Sequence, residues 1–258
     1  MAGSAAAIPA VEGHPEAGKR ERMDKKLEQL TEKLRAALGD RLVSIVLYGS
    51  GASEHDHHRS FSDLNVMCVL RQLTPRELGD TEPVVRWWRD DGNPSPLLLT
   101  ETEVRTSTDV FAIEFHDMLE RRRILFGSDP VNGLVVETSF YRAQVEHDLR
   151  AKQIRLRQKA AAVLTDKEAL LRLMLDSVSN FCVLARHAML LAGVSAGPGR
   201  RDVVAHLREI GADPEPFEVL LDLREQKRAP RDVNPPELFG QYLAQVGRLV
   251  EFVDGLAK

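Results

Sequence analysis

Apolar residues recur at three- and four-residue intervals along residues 21–38, at Met23, Leu27, Leu30, Leu34 and Leu38, with charged residues between them and Gly39 closing the run. This is the periodicity of an amphipathic helix with one buried face. Short β-branched and apolar runs follow. They predict strands over residues 42–47, 64–70, 97–100 and 110–115, with a polar stretch containing Trp87 and Trp88 predicting a helix over residues 83–89. Residues 123–126 and 134–136 read as short additional strands separated by the turn-forming Gly127-Ser128-Asp129-Pro130. From Ser139 onward the pattern changes to long helical periods over residues 141–164, 167–191, 201–210, 216–225 and 236–256. Glycine and proline at residues 193–199 and 229–236 interrupt them. Leu170, Leu171, Leu173, Leu175 and Val178 have the spacing of a bundle core, and no repeat of fixed period occurs. The expected fold class is α+β: a tail over residues 1–20, a mixed-sheet domain over residues 21–137 and an all-α helical bundle over residues 138–258. The tail is rich in Ala, Gly, Pro and Glu and lacks apolar periodicity, so disorder is expected there.

Composition narrows the function classes. A length of 258 residues suits two modest domains, and 43% hydrophobic with 29% charged residues is ordinary for a globular protein. The formal charge of −4 argues against a protein that coats nucleic acid through a broad basic surface, although a local basic pocket is compatible with it. No apolar stretch approaches the roughly 20 residues that a bilayer-spanning helix needs, and the Ala-rich start has Pro9 and no basic flank. A cytoplasmic location is therefore expected, with no membrane partner. Cys68 and Cys182 both fall in apolar runs and read as buried thiols rather than a disulfide or metal pair.

Candidate chemistry concentrates between residues 47 and 70. Leu47-Tyr48-Gly49-Ser50-Gly51-Ala52-Ser53 leaves an apolar strand and enters a Gly/Ser turn, whose backbone N–H groups can approach an anion without an intervening Cβ. After a short loop comes Ser62-Asp63-Leu64-Asn65, with Asp63 and Asn65 at i and i+2 on a strand start, so that both side chains share one face. An acid and an amide entering an apolar strand are costly to bury without a partner. A divalent cation with oxygen ligands is a natural one.

With Gly49-Ser50 followed by Ser62-Asp63-Leu64-Asn65, the chain resembles the nucleotidyltransferase superfamily of DNA-polymerase-beta-like fold, which includes the aminoglycoside nucleotidyltransferases. The resemblance covers about residues 22–126. It implies that Gly49 and Ser50 contact nucleotide phosphate, that the second strand carries an acid-x-acid pair for Mg²⁺ (or Mn²⁺), and that a later strand supplies a third acid. This chain departs from the pattern at Asn65, a neutral ligand where the second carboxylate would stand. Glu114, in the apolar run of residues 110–115, is the candidate third acid; Glu101, Glu103 and Asp117 are rivals. The implied chemistry is attack by an acceptor hydroxyl on the α-phosphorus of a nucleoside triphosphate, with pyrophosphate leaving. Asp63, Asn65 and Glu114 would hold metal, and an acid such as Glu114 would take the acceptor's proton. Arg59 would steer the triphosphate.

Two further features stand outside that motif. His55, His57 and His58 cluster in the intervening loop, and adjacent histidines on one loop read as solvated rather than as a closed zinc site. The helix expected from residue 141 carries Arg142, Glu146, His147, Arg150, Lys152, Arg155 and Arg157, a basic segment able to line an acceptor side and otherwise a solvated face. The leading expectation is a nucleotidyltransferase acting on a small-molecule or protein acceptor. The alternatives are a catalytically degenerate nucleotide-binding regulator, favoured by Asn65, and a helical protein-interaction module. The acceptor, the nucleotide base and self-association into a homo-oligomer are left open by the sequence.

Overall fold

Residues 15–52, 64–136 and 139–256 are described in a computed structural model of the protein. The first amphipathic run forms α1 (Pro15–Leu38), which begins ahead of the expected start and takes in residues 15–20 of the expected tail. Its apolar stripe, Leu27, Leu30, Leu34 and Leu38, is fully buried. Four strands follow: β1 (Leu42–Tyr48), β2 (Asn65–Leu70), β3 (Leu97–Thr100) and β4 (Arg122–Gly127). The sheet order is β3-β2-β1-β4, with β1 and β2 antiparallel and β2 and β3 parallel. The sheet is therefore mixed, as the pattern predicts. In β2, Val66 to Leu70 are all buried, the unbroken apolar run of a central strand covered on both faces.

Between β2 and β3 lies α2 (Pro75–Asp90), twice as long as the expected residues 83–89. Pro83 reads as a helix start, but the true start is a capping box in which Thr74 and Glu77 satisfy each other's backbone N–H groups. Trp88 of α2 is fully buried against the α1 stripe and the same sheet face, and its indole N–H donates to the Pro94 carbonyl at 2.9 Å.

The expected strand over residues 110–115 is instead α4 (Ala112–Glu120), preceded by the short α3 (Glu101–Thr106). A six-residue apolar run does not separate a strand from a buried helix turn; here Ala112, Ile113, Phe115 and Met118 form the inward face of a helix. Residues 134–136 form no strand. The remaining helices follow the sequence pattern closely: α5 (Tyr141–Ala161), α6 (Lys167–Leu191), α7 (Arg200–Ala205), α8 (Glu215–Arg224) and α9 (Pro235–Gly255). A one-turn 3₁₀ segment, Leu207–Ile210, completes the expected residues 201–210.

The chain divides into two compact units, one reaching Glu101 and regaining Arg123–Pro130, the other comprising Thr102–Arg122 and Val131 onward. It therefore passes between units three times, where the sequence suggested a single boundary near residue 137. Residues 102–121, which include α4 and most of α3, belong with the helical half, while β4 returns to complete the sheet. The helical unit has its own core, in which Val145, Leu149, Leu170, Met174, Val178, Phe217, Tyr242 and Val246 are all fully buried. Among the described residues, no helix is long and apolar enough to cross a membrane.

Candidate active site

In the sheet unit, β1 ends at Tyr48 and turns at once through Gly49, whose φ of +70° lies in the left-handed region open to glycine at little cost. A one-turn 3₁₀ segment, Gly49–Ala52, follows. The antiparallel register sets Tyr48 opposite Asn65, so the glycine turn and the first residue of β2 lie side by side. A Cβ built on Gly49 would stand 3.6 Å from Asn65 Nδ2, with nothing else within 4 Å of it among the described residues. The bare glycine backbone and a partly exposed amide thus form one corner at the mouth of the hairpin. Gly49 and Asn65 are brought together as the sequence pattern implies. Asp63, Arg59 and the histidine loop lie outside the described residues, as does the side chain of Ser50.

The parallel partner of β2 supplies no acid. β3 reads Leu97-Leu98-Leu99-Thr100, with Met67 paired to Leu97 and Leu70 to Thr100, and the first carboxylate after it, Glu101, opens α3. Among the described residues, no group of three or more His, Cys, Asp or Glu side chains is arranged to hold a metal ion.

Glu114 occupies the first turn of α4 and belongs to the helical unit. The N-terminus of α4 is tied to α5 where Ala112 N–H donates to Gln144 Oε1 at 3.0 Å. The Glu114 carboxyl is largely buried, and its Oε2 has no hydrogen-bond partner. Burial raises its pKa above the usual 4.5, its own backbone N–H opposes the shift, and the Asp148 and Asp117 carboxylates add to it. A partly buried acid with a raised pKa is a candidate proton acceptor at near-neutral pH.

Beside it runs a buried polar network that sequence reading placed in a plain bundle core. Arg186 and His187, almost completely buried on α6, face α4 and α5. Arg186 pairs with Asp117 and, at 2.5 Å, with Glu120 Oε2. His187 Nε2 stands 3.2 Å from Asp117 Oδ1, and its Nδ1 meets the Tyr141 hydroxyl. Burial opposes ionisation of Asp117, but the His187 hydrogen bond and the charges of His187, Arg186 and Arg121 outweigh it and hold the pKa below 3.8. His116 stacks on Tyr141 with ring centroids 5.2 Å apart; burial, then the neighbouring His187 and Arg186 charges, lowers its pKa below 6.5. The signal available in sequence was Arg186-His187 interrupting Phe181-Cys182-Val183-Leu184-Ala185 and Ala188-Met189, since buried polar residues in an apolar row demand partners.

Glu146 on α5 is held by two arginines: Arg150 and Arg142 bond it at 2.8 and 2.9 Å. The Arg150 hydrogen bond leads the effects that lower its pKa. Cys68 and Cys182 are free and buried, and burial pushes each thiol up to about 12, which leaves both inert at neutral pH.

Among solved structures, the chain is similar to spectinomycin adenyltransferase AAD(9) from Enterococcus faecialis, determined with ATP and spectinomycin. The match has a TM-score of 0.56 and 12% sequence identity, and covers 89% of this chain and 99% of that chain. This chain has the nucleotidyltransferase fold. At 12% identity the likeness is one of fold, and it extends over sheet and helical units alike. No protein-family model matches the chain, and no curated protein matches it in sequence. In this nucleotidyltransferase fold the Gly49 turn opposite Asn65 is the hairpin mouth where the sequence motif lies.

Proposed function

We propose that the protein is a nucleotidyltransferase that moves a nucleoside monophosphate from a nucleoside triphosphate to a hydroxyl of a small-molecule or protein acceptor. The observation that carries this reading is the Gly49–Asn65 corner within a nucleotidyltransferase fold. Gly49 presents backbone N–H groups to the outer phosphates, with Ser50 and Arg59 assisting. Asp63 and Asn65 would hold a hard cation, Mg²⁺ or Mn²⁺, through their side-chain oxygens. When bound, the cation would neutralise charge on the phosphates. Asn65 lacks the charge of a carboxylate and β3 carries no acid, so this set fits one firmly held ion better than two. The attacking hydroxyl gives its proton to a general base, the α-phosphorus to pyrophosphate bond breaks, and the new phosphodiester bond forms on the acceptor oxygen. Buried free thiols agree with action in the cytoplasm.

Thermal denaturation with each nucleoside triphosphate, in Mg²⁺, Mn²⁺ or EDTA, tests this reading, because a ligand that binds the native state raises the melting temperature. A metal-dependent rise that Asp63→Ala abolishes is the expected result. A rise unaffected by Asp63→Ala overturns the site. The second reading, a regulator that binds nucleotide without turnover, is favoured by the absence of an acid on β3. It predicts the same rise with no pyrophosphate released in the presence of any hydroxyl acceptor.

A further inference from the structure

Helix α5 carries an uncompensated block of positive charge in a chain whose formal charge is −4. Arg150, Lys152, Arg155, Arg157 and Lys159 fall within ten consecutive residues that contain no acid, and all five are exposed. Arg150 is paired with Glu146 and, at 3.3 Å, with Asp254. No ion pair is formed by Lys152, Arg155, Arg157 or Lys159 among the described residues. The opposite side of α5, with Val145, Leu149, Gln153 and Leu156, is buried in the bundle, so the helix cannot turn to hide these charges.

The 3.6-residue period divides the cations into two edges. Lys152, Arg155 and Lys159 line one, and Arg150 and Arg157 the other. The ridge between them is Ala143, His147, Ala151, Ile154 and Gln158, all exposed and none of them Lys, Arg, Asp or Glu. The exposed face of α5 carries no Phe, Tyr or Trp, which base stacking with single strands would need. A helix about 10–12 Å across fits a duplex major groove about 12 Å wide, which sets cations on its two edges against the phosphates of both strands.

We infer that the exposed face of α5 binds double-stranded nucleic acid through its phosphate backbone. The cations on the two edges meet phosphates, which carry no sequence information, so most of the binding is independent of sequence. The net acidity of the rest of the chain confines contact to this face.

The test is fluorescence anisotropy of a labelled duplex of about 20 base pairs titrated with the full chain at rising KCl. With about four phosphates neutralised, log K should fall against log salt with a slope of about −3 to −4. The triple variant Lys152→Gln, Arg155→Gln, Lys159→Gln should weaken binding at least about tenfold at low salt and flatten the slope by about 2 to 3. Arg155→Gln alone, the milder variant, should flatten it by about 1. A control bearing Arg86→Gln, Arg172→Gln and Arg248→Gln removes three exposed but ion-paired cations and should change neither quantity. The inference is overturned by no binding at about 50 mM KCl, by equal losses in triple variant and control, by equal affinity for polyglutamate of matched charge, or by displacement of the duplex with ATP.

Discussion

Gly127 shows how much one backbone position can demand. Its φ is +75°, and a Cβ there would stand 2.0 Å from the Val43 carbonyl oxygen, a backbone atom that cannot swing aside. Gly127→Ala should therefore destabilise the protein by at least about 2 kcal/mol in urea denaturation, combining left-handed strain with a clash that only a shift of β4 relieves. A change of less than about 0.5 kcal/mol would show that β4 can move freely. Gly49 shares the conformation without the crowding, so its demand is for bare backbone rather than for space. Glu114 makes the opposite kind of demand. With its folded pKa raised above 4.5, the protonated carboxyl is the better-tolerated form, so its favourable contribution is complete below pH 4.5 and is lost as pH rises through the folded pKa. Glu114→Gln should consequently melt higher than the parent at pH 8 with little difference at pH 4. Lower stability of the variant at pH 8 would contradict the burial argument.

At the scale of elements, the start of α2 is held by electrostatics as much as by packing. The fully buried Glu77 carboxylate accepts from the Thr74 hydroxyl at 2.5 Å, the Thr74 N–H at 3.0 Å and Arg41 Nη1 at 2.9 Å. The Thr74 hydroxyl leads and Arg41 follows in lowering its pKa to about 2, against the penalty of burial. A depressed carboxylate stabilises above its unfolded pKa and stops doing so as pH falls through the folded one. Stability should therefore decline between about pH 4.5 and pH 2 through this group. Glu77→Gln should flatten that part of the acid limb in a pH series of thermal melts; an unchanged limb would mean that other carboxylates dominate it. The same capping box explains why Pro83 misleads as a helix start. It sits inside a helix already nucleated eight residues earlier, with its ring on an exposed face.

At the scale of the whole molecule, the sheet unit is not contiguous in sequence. β4 lies beside β1, and the buried Ser44 hydroxyl is satisfied only by the carbonyls of Phe126 and Ser128, at 3.1 and 2.7 Å. A fragment ending at Glu101 loses that strand and strands a buried hydroxyl, which costs about 1–3 kcal/mol on its own. It should unfold without a cooperative transition in urea, and covalently appending residues 123–130 through a flexible linker should restore one. Cooperative unfolding of the shorter fragment would show that β4 is dispensable.

Periodicity alone determined the amphipathic α1, the apolar β1 and β2, and nearly the full extent of α5, α6, α8 and α9, because each buries one stripe or one run against a core. The glycine turn followed by Asn65 was likewise legible, since a positive φ and an amide entering a buried strand are local facts. Tertiary structure alone decided the rest. Residues 110–115 are apolar enough for strand or helix; residues 112–115 lie in α4, whose first N–H is bonded by Gln144 of α5, and Glu114 belongs to the helical unit. Asp117, Glu120, Tyr141, Arg186 and His187 come from three separate helices. Arg186 and His187 are all but closed off from water, and the packing of α4, α5 and α6 is what brings their partners to them.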